Sequence, residues 1–202
     1  AASDVYKRQE TISSNRPKIV VIGSCNTDMV VKANRLPVPG ETILGGTFYM
    51  NPGGKGANQA IAAARLGAEV TFISKIGYDL FGLQALEIYR SEKINTEFIF
   101  TDQKSPSGVA LISVDSFGEN SIIVAPGASR SLSTEDINKA EEKIKEADII
   151  LMQLEVPIDT VEYAATIANR YGKKVILNPA PASTLSNSFL NNVHTISVSY
   201  TH

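Results

Sequence analysis

The chain has 202 residues, of which 43% are hydrophobic and 20% charged, and its formal net charge is −2. This composition is typical of a globular protein that buries a core, and it argues against a nucleic-acid-binding surface. A single cysteine, Cys25, excludes an internal disulfide framework, and no apolar run is long enough to span a bilayer.

Short apolar strands alternate with helical segments along most of the chain. The predicted strands are 18–23, 69–75, 97–100, 148–154 and 174–177. The predicted helices are 57–66, 80–93, 133–147 and 159–170. Gly67 and Gly172 close two of these helices, Asp79 is an N-cap, and Ser133 with Asp136 forms a capping box. This alternation predicts βαβ units and a mostly parallel sheet that is covered on both faces.

Two segments, about 27–50 and 106–126, interrupt that alternation. The first contains two prolines and a Gly-Gly pair between short β-prone stretches, and the second reads as a hairpin without an intervening helix. We expect them to form a small antiparallel sheet beside the main layer. A sheet placed over the carboxyl ends of the main strands would act as a lid.

Residues 51–59 read Asn-Pro-Gly-Gly-Lys-Gly-Ala-Asn-Gln and lead directly into the first predicted helix. The glycines let the backbone approach a ligand closely, and the helix start presents unpaired N–H groups to it. Lys55 adds a cation and Asn58 an amide, which suits a phosphate, a carboxylate or a polyol. The segment does not match a P-loop, because Tyr49 and Gly56 stand where that motif has Gly and Ser or Thr. An ordinary Gly-rich turn before a helix is the alternative.

Polar side chains also follow the predicted strands at their carboxyl ends, where open α/β sheets bind ligands. Together with the Gly-rich loop, the candidates are Asn26, Asp28, Lys55, Asn58, Glu155 and Asn178. Amides and carboxylates beside one lysine suit sugar hydroxyls better than phosphate, because carboxylates accept hydroxyl protons and repel phosphate. Simpler alternatives remain open: turns for the Asn and Asp residues, a cap on the next helix for Glu155, and a solvated charge for Lys55.

The motifs resemble those of the PfkB-type carbohydrate kinases and, among them, the ribokinase branch. The resemblance covers about residues 18–193, and its most specific segments are GGKGANQ at 53–59, MQLE at 152–155 and NPAPA at 178–182. It implies a three-layer α/β fold with a mostly parallel, Rossmann-like sheet. It also implies a small antiparallel β lid that forms the contact of a homodimer.

The resemblance further implies ATP-dependent phosphorylation of the 5-hydroxyl of ribose, with Mg²⁺ and K⁺ as cofactors of the complete protein. It implies a set of sugar-binding positions in this chain. They are Asn26, Thr27 and Asp28 at the first strand, Gly54, Lys55, Gly56, Ala57 and Asn58 in the Gly-rich loop, Glu155 after a later strand, and Ala110 and Ile122 as apolar lid contacts.

One segment that the family uses for catalysis is absent from the sequence. The Gly-Ala-Gly-Asp segment that supplies the family's catalytic base does not occur in the 202 residues. We therefore expect no catalytic residue and no metal ligand in this chain, a fold truncated at its C-terminus, and no turnover by the chain alone. Residues 1–9 and 194–202 match nothing in the family, and we expect residues 1–17 and 194–202 to be disordered or non-native.

Two other functions remain as alternatives. One is a related kinase that acts on another sugar or on a nucleoside, and the other is a non-catalytic sugar-binding module. In each case we expect a small sugar-like ligand, neither a nucleic-acid nor a membrane partner, and a cytoplasmic location, with a nuclear one in addition in a eukaryote.

Overall fold

Ten strands and six α-helices alternate along residues 16–198, the part of the chain that the computed structural model describes. Residues 1–15 and 199–202 lie outside the described part. Most of the residues that were predicted to be disordered or non-native, 1–17 and 194–202, therefore lie outside it as well. The strands are β1 (Lys18–Ile22), β2 (Asn26–Lys32), β3 (Thr47–Gly53), β4 (Glu69–Gly77), β5 (Ile99–Asp102), β6 (Gly108–Val114), β7 (Asn120–Ala125), β8 (Ile149–Gln153), β9 (Lys174–Asn178) and β10 (Thr195–Ile196). The helices are α1 (Lys55–Arg65), α2 (Leu80–Ser91), α3 (Thr134–Lys139), α4 (Glu141–Glu146), α5 (Ile158–Arg170) and α6 (Asn187–Leu190), with a 3₁₀ turn at Gly127–Ser131.

The main sheet has six strands in the order β10-β9-β8-β1-β4-β5, and every neighbouring pair is parallel. A purely parallel sheet needs cover on both faces. In β1, Val20 and Ile22 belong to one buried cluster and Val21 to the other, as strand alternation requires. The predicted three-layer α/β body is therefore confirmed.

The two faces of the sheet are covered by different helices. On one face, alanines of α1 allow close approach to the sheet, and Tyr89 of α2 packs edge-on against Phe72 at a ring distance of 5.5 Å. On the other face, α3 to α6 bury residues such as Ile144 and Phe189. Each large apolar side chain that is fully buried contributes about 1.5–3 kcal/mol. This packing fixes the strand ends on which the candidate site is built.

The lid sheet consists of four strands in the order β3-β2-β6-β7. Strands β2 and β3 pair antiparallel, as do β6 and β7, but β2 and β6 are parallel, with Asp28 opposite Ala110. The prediction of a wholly antiparallel lid is therefore wrong at this central pair. Strands β2 and β6 leave the carboxyl ends of β1 and β5, which lie at the same edge of a parallel sheet, so they run in the same direction.

Helix signals were more reliable than strand ends. Asp79 caps α2 by accepting a hydrogen bond from Gly82 N at 2.9 Å. The capping box of Ser133 and Asp136 is present, but the predicted helix 133–147 is divided into α3 and α4 at Ala140. The strand predicted at 97–100 is β5, two residues further on.

The exclusion of residues 194–202 from the fold does not hold for Thr195 and Ile196. They pair in parallel with Ile176 and Leu177 of β9. The imidazole of His194 also accepts a hydrogen bond from Val175 N at 3.2 Å. Among the helices of residues 16–198, none combines the length and the apolar character that a membrane crossing requires.

Candidate functional site

A cavity of about 380 Å³ opens between the main sheet and the lid sheet, at the carboxyl ends of β1 and β8. Three of the predicted ligands, Asn26, Lys55 and Glu155, line it. The other lining residues, none of which was predicted as a ligand, are Ser24, Val124, Pro126, Arg130, Leu154 and Pro181. Three of them carried a sequence signal, because Ser24 lies just after β1 and Leu154 and Pro181 belong to the MQLE and NPAPA segments. An adjoining cavity of about 330 Å³ brings Asn178 beside Lys55.

Glu155 links the Gly-rich loop to the end of β8. Its carboxylate accepts hydrogen bonds from Lys55 N at 2.9 Å, from Lys55 Nζ at 2.6 Å and from the hydroxyl of Ser24. Helix α1 begins after Gly54, which offers no side-chain cap. Glu155 therefore acts as the cap of α1 from 100 positions away and does not cap the helix that follows it.

The protonation of Glu155 follows from these contacts. Burial alone would raise the pKa of the carboxyl, but the hydrogen bonds from Lys55 and Ser24 outweigh burial, and the pKa is lowered from its ordinary 4.5. The carboxylate is thus ionised at neutral pH. It can accept protons from ligand hydroxyls while it holds Lys55 in place.

Two glycines of the loop allow the close approach of α1 to β1. Gly54 has φ = +91°, and a Cβ on it would lie 2.9 Å from the carbonyl oxygen of Ser24. A Cβ on Gly56 would lie 2.7 Å from the backbone of Gly23 and Ser24. Any side chain at either position would push Lys55 away from the cavity.

Asn26 and Asp28 lie on the same face of β2, because side chains alternate along a strand. Asn26 is buried, and its Oδ1 has no hydrogen-bond partner among residues 16–198. A buried amide oxygen without a protein partner, in the wall of a cavity, is well placed to accept a hydrogen bond from a ligand. Burial raises the pKa of Asp28, repulsion by Glu155 raises it further, and Lys55 offsets only part of this.

The lid contributes apolar contacts on that same face. Ala110 lies directly across from Asp28 in the register, and Val124 lies across from Ala110. Ile122 belongs to the same face two residues away, and its side chain is exposed. The two predicted lid contacts therefore face the side of the lid sheet that carries Asn26 and Asp28.

Three predicted residues do not join this group. Thr27 points to the opposite face of the lid sheet, where it lines another cavity beside Met50 and Phe81. Ala57 is fully buried in the core, and its N–H donates a hydrogen bond to the Ser24 carbonyl at 3.0 Å. It therefore anchors the Gly-rich loop to the end of β1 and does not face the cavity. Asn58 is exposed on α1, one turn after Lys55.

The parallel three-layer body, the four-stranded lid and the cavity between them define a ribokinase-like α/β fold. A family model described as "pfkB family carbohydrate kinase" matches residues 16–200. The chain belongs to this family, as its motifs predicted.

Relatives within the family include kinases of two sugars. The chain is 46% identical over 176 residues to the ribokinase of Haemophilus influenzae, a match covering 87% of this chain and 58% of that protein. It is 42% identical over 164 residues to the deoxyribokinase of Salmonella typhi, covering 81% and 54%. The structure of Arabidopsis thaliana ribokinase complexed with ribose and ATP matches with a TM-score of 0.79 at 31% identity, covering 91% of this chain and 60% of that one. The chain thus spans somewhat more than half the length of the relatives it matches.

Proposed function

We propose that this chain is the sugar-binding part of a ribokinase, which phosphorylates D-ribose to ribose 5-phosphate at the expense of ATP. The observation that carries the proposal is the cavity that joins the unpartnered Asn26 amide to the Lys55–Glu155 pair, with Asp28 beside it. The 46% identity to a ribokinase supports the choice of substrate.

The polar groups of the cavity suit the hydroxyl groups of a sugar. The carboxylates of Asp28 and Glu155 and the amide oxygen of Asn26 can accept hydroxyl protons, and the ammonium of Lys55 can donate to hydroxyl oxygens. Ala110, Ile122 and the neighbouring Val124 offer an apolar surface to the carbon face of the ring. Holding the acceptor hydroxyl in one orientation is the contribution that these residues make to phosphoryl transfer.

The cofactors of the complete reaction are not assigned to residues of this chain. ATP would supply the phosphoryl group, and Mg²⁺ and K⁺ are proposed from the family alone. Within residues 16–198, no group of three or more His, Cys, Asp or Glu side chains is arranged to hold a metal ion. Because the Gly-Ala-Gly-Asp segment does not occur in the sequence, we propose that the chain alone binds ribose without phosphorylating it.

Isothermal titration of the 202-residue chain with ribose tests the proposal. Asn26→Ala should weaken ribose binding about tenfold, because it removes a buried hydrogen-bonding group. Asn191→Ala, in an exposed position, is the matched control and should leave affinity unchanged. No ribose binding by the wild type, or equal binding by Asn26→Ala, would contradict the proposed site. Turnover of ribose and ATP by the purified chain well above background would contradict the proposed inactivity.

A related sugar is the second candidate substrate, and the deoxyribokinase relative favours it. A panel of ribose, 2-deoxyribose and nucleosides, tested on the complete gene product, separates the candidates. A tenfold or greater preference for a nucleoside or another sugar would overturn the choice of ribose. Sequencing the transcript past codon 202 tests the non-catalytic alternative, which a continuation with Gly-Ala-Gly-Asp would eliminate.

We also propose that the lid sheet forms a homodimer contact. Its face opposite the candidate site carries Met50, Leu111 and Ile123 in one row of the register, and all three are exposed. A contiguous apolar row of this kind is typical of an interaction surface. Leu111→Lys should shift the mass measured by light scattering from dimer to monomer, whereas Leu44→Lys, in an exposed loop, should not. A monomeric wild type would refute the proposal.

A further inference from the structure

Arg130 lies where two cavities meet. It lines the candidate site together with Lys55 and Glu155, and it also lines a neighbouring cavity of about 430 Å³ beside Pro181 and Ser183. The side chain is exposed. Asp159 lines the second cavity as well, but among residues 16–198 no carboxylate forms an ion pair with Arg130.

The other charges of the candidate site are already balanced or are negative. Lys55 is committed to Glu155 through the 2.6 Å contact of Nζ with Oε1. Asp28 adds a second carboxylate close enough to interact electrostatically with Glu155. A phosphate in this cavity would therefore meet one neutralised cation and the Glu155 carboxylate, with the negative charge of Asp28 nearby. Arg130 is the one lining cation of the described cavity that is free to compensate for its charge.

The backbone that carries Arg130 is held by contacts on both sides. Ser129 Oγ accepts a hydrogen bond from Cys25 N at 3.2 Å, which ties the 3₁₀ turn to the end of β1. Ser131 donates its hydroxyl proton to Asp102 and accepts from Lys75 Nζ at 3.2 Å through its carbonyl. The Cα of Arg130 is thus fixed relative to the cavity, and only its side chain is free to move.

We propose that Arg130 binds the phosphate group of the phosphorylated sugar at the exposed edge of the candidate site. The inference rests on the proposed function, because it requires a sugar in the cavity. A guanidinium presents two parallel N–H donors that match a phosphate, and a partly exposed position keeps the interaction moderate in strength. Arg130 thereby distinguishes the sugar phosphate from the free sugar, whose hydroxyls are held by the other residues.

The test is a titration of the 202-residue chain with ribose and, separately, with ribose 5-phosphate. Arg130→Gln should weaken ribose 5-phosphate binding about fivefold to tenfold, as expected for one charge-assisted contact at a partly exposed site, and should leave ribose affinity within about twofold. Arg130→Lys keeps the positive charge but lacks the paired N–H donors of the guanidinium, so its loss of ribose 5-phosphate affinity should be smaller. Arg90→Gln on α2, exposed and remote from the cavity, is the matched control and should change neither affinity.

The outcomes separate the two proposals. Absence of ribose binding by the wild type defeats the proposed function and, with it, this inference. Ribose binding with ribose 5-phosphate affinity equal in wild type and Arg130→Gln defeats the inference alone, as does failure of ribose 5-phosphate to bind a chain that binds ribose. Equal losses of affinity for ribose and for ribose 5-phosphate in both Arg130 variants would mark Arg130 as a structural residue. That result would also overturn the inference.

Discussion

The Lys55–Glu155 pair should be thermodynamically coupled, and a double-mutant cycle measures the coupling. The variants are Lys55→Met, Glu155→Gln and the double mutant. Glu155→Gln should be the more damaging single change, because it removes the charge that holds Lys55 and that caps α1. Lys55→Met leaves the carboxylate its contacts with the Ser24 hydroxyl and the backbone N–H.

The magnitude follows from distance and exposure. At 2.6 Å, the Coulomb attraction is about 6 kcal/mol for an effective dielectric constant of about 20. Desolvation of both groups and screening by water remove most of it, because the Lys55 side chain is 39% exposed and that of Glu155 16%. We therefore expect a coupling energy of about 1–2 kcal/mol, between the values usual for exposed and for buried pairs.

The assay is urea unfolding of the four proteins, followed by circular dichroism, at about pH 7. A coupling energy below about 0.3 kcal/mol, within the additivity expected of independent sites, would refute the inference that this pair fixes the Gly-rich loop. The Arg35–Glu41 pair, whose arginine side chain is 55% exposed, is a suitable control. Its coupling should be close to the detection limit and should disappear at high salt.

Three further predictions concern pH and backbone conformation. The folded-state pKa of Glu155 is lowered, so the stabilising effect of its ionised form is fully present above pH 4.5 and is lost as the pH falls through the lower folded-state pKa. In urea titrations, the stability difference between wild type and Glu155→Gln should therefore be constant near neutral pH and shrink as the pH falls below about 4.5. The raised pKa of Asp28 means that ionisation of its carboxyl destabilises the fold. Asp28→Asn should therefore raise the melting temperature at about pH 7 and give no gain below the ordinary pKa of 3.8. Calorimetry of the same variant should show ribose binding weakened about tenfold. Gly54→Ala should destabilise by more than the about 1–2 kcal/mol of a left-handed alanine, because its Cβ also meets the Ser24 carbonyl. Gly67 has φ = +96°, and a Cβ added there would have no atom within 4 Å. Gly67→Ala should therefore lower the free energy of unfolding by the backbone strain alone and leave ribose affinity unchanged. Equal losses of stability in the two variants would contradict the contact between the Gly54 Cβ and Ser24.

Signals that act within a few residues were readable from the sequence. Asp79 caps α2, the Ser133–Asp136 box starts α3, and Gly67 adopts a positive φ after α1. Each depends on a side chain or glycine that satisfies its own neighbouring backbone. The buried strands were equally clear, because a parallel sheet covered on both faces requires continuous apolar runs.

Residues whose environment is made by distant segments were predicted less well. From the sequence, Asn26 and Asp28 were expected just after the first strand, and a turn was the simpler alternative for both, since Asn and Asp are depleted in strands. Pairing with β3 and β6 on both sides overrides that preference and makes them the start of β2. Once Asn26 and Asp28 lie on a strand, alternation sends Thr27 to the opposite face, which explains why it does not join the site.

The position of Glu155 decides what kind of ligand the Gly-rich loop can hold. The start of α1 has the features of an anion site, but the protein supplies the anion itself, since the Glu155 carboxylate bonds both the Lys55 N–H and its ammonium. A phosphate at this helix start would have to displace that carboxylate, which is disfavoured because three hydrogen bonds to Glu155 would be broken. The loop is therefore suited to orient a neutral sugar. The place for a phosphate, if one is attached to the sugar, is beside Arg130, where the positive charge has no protein partner among the described residues.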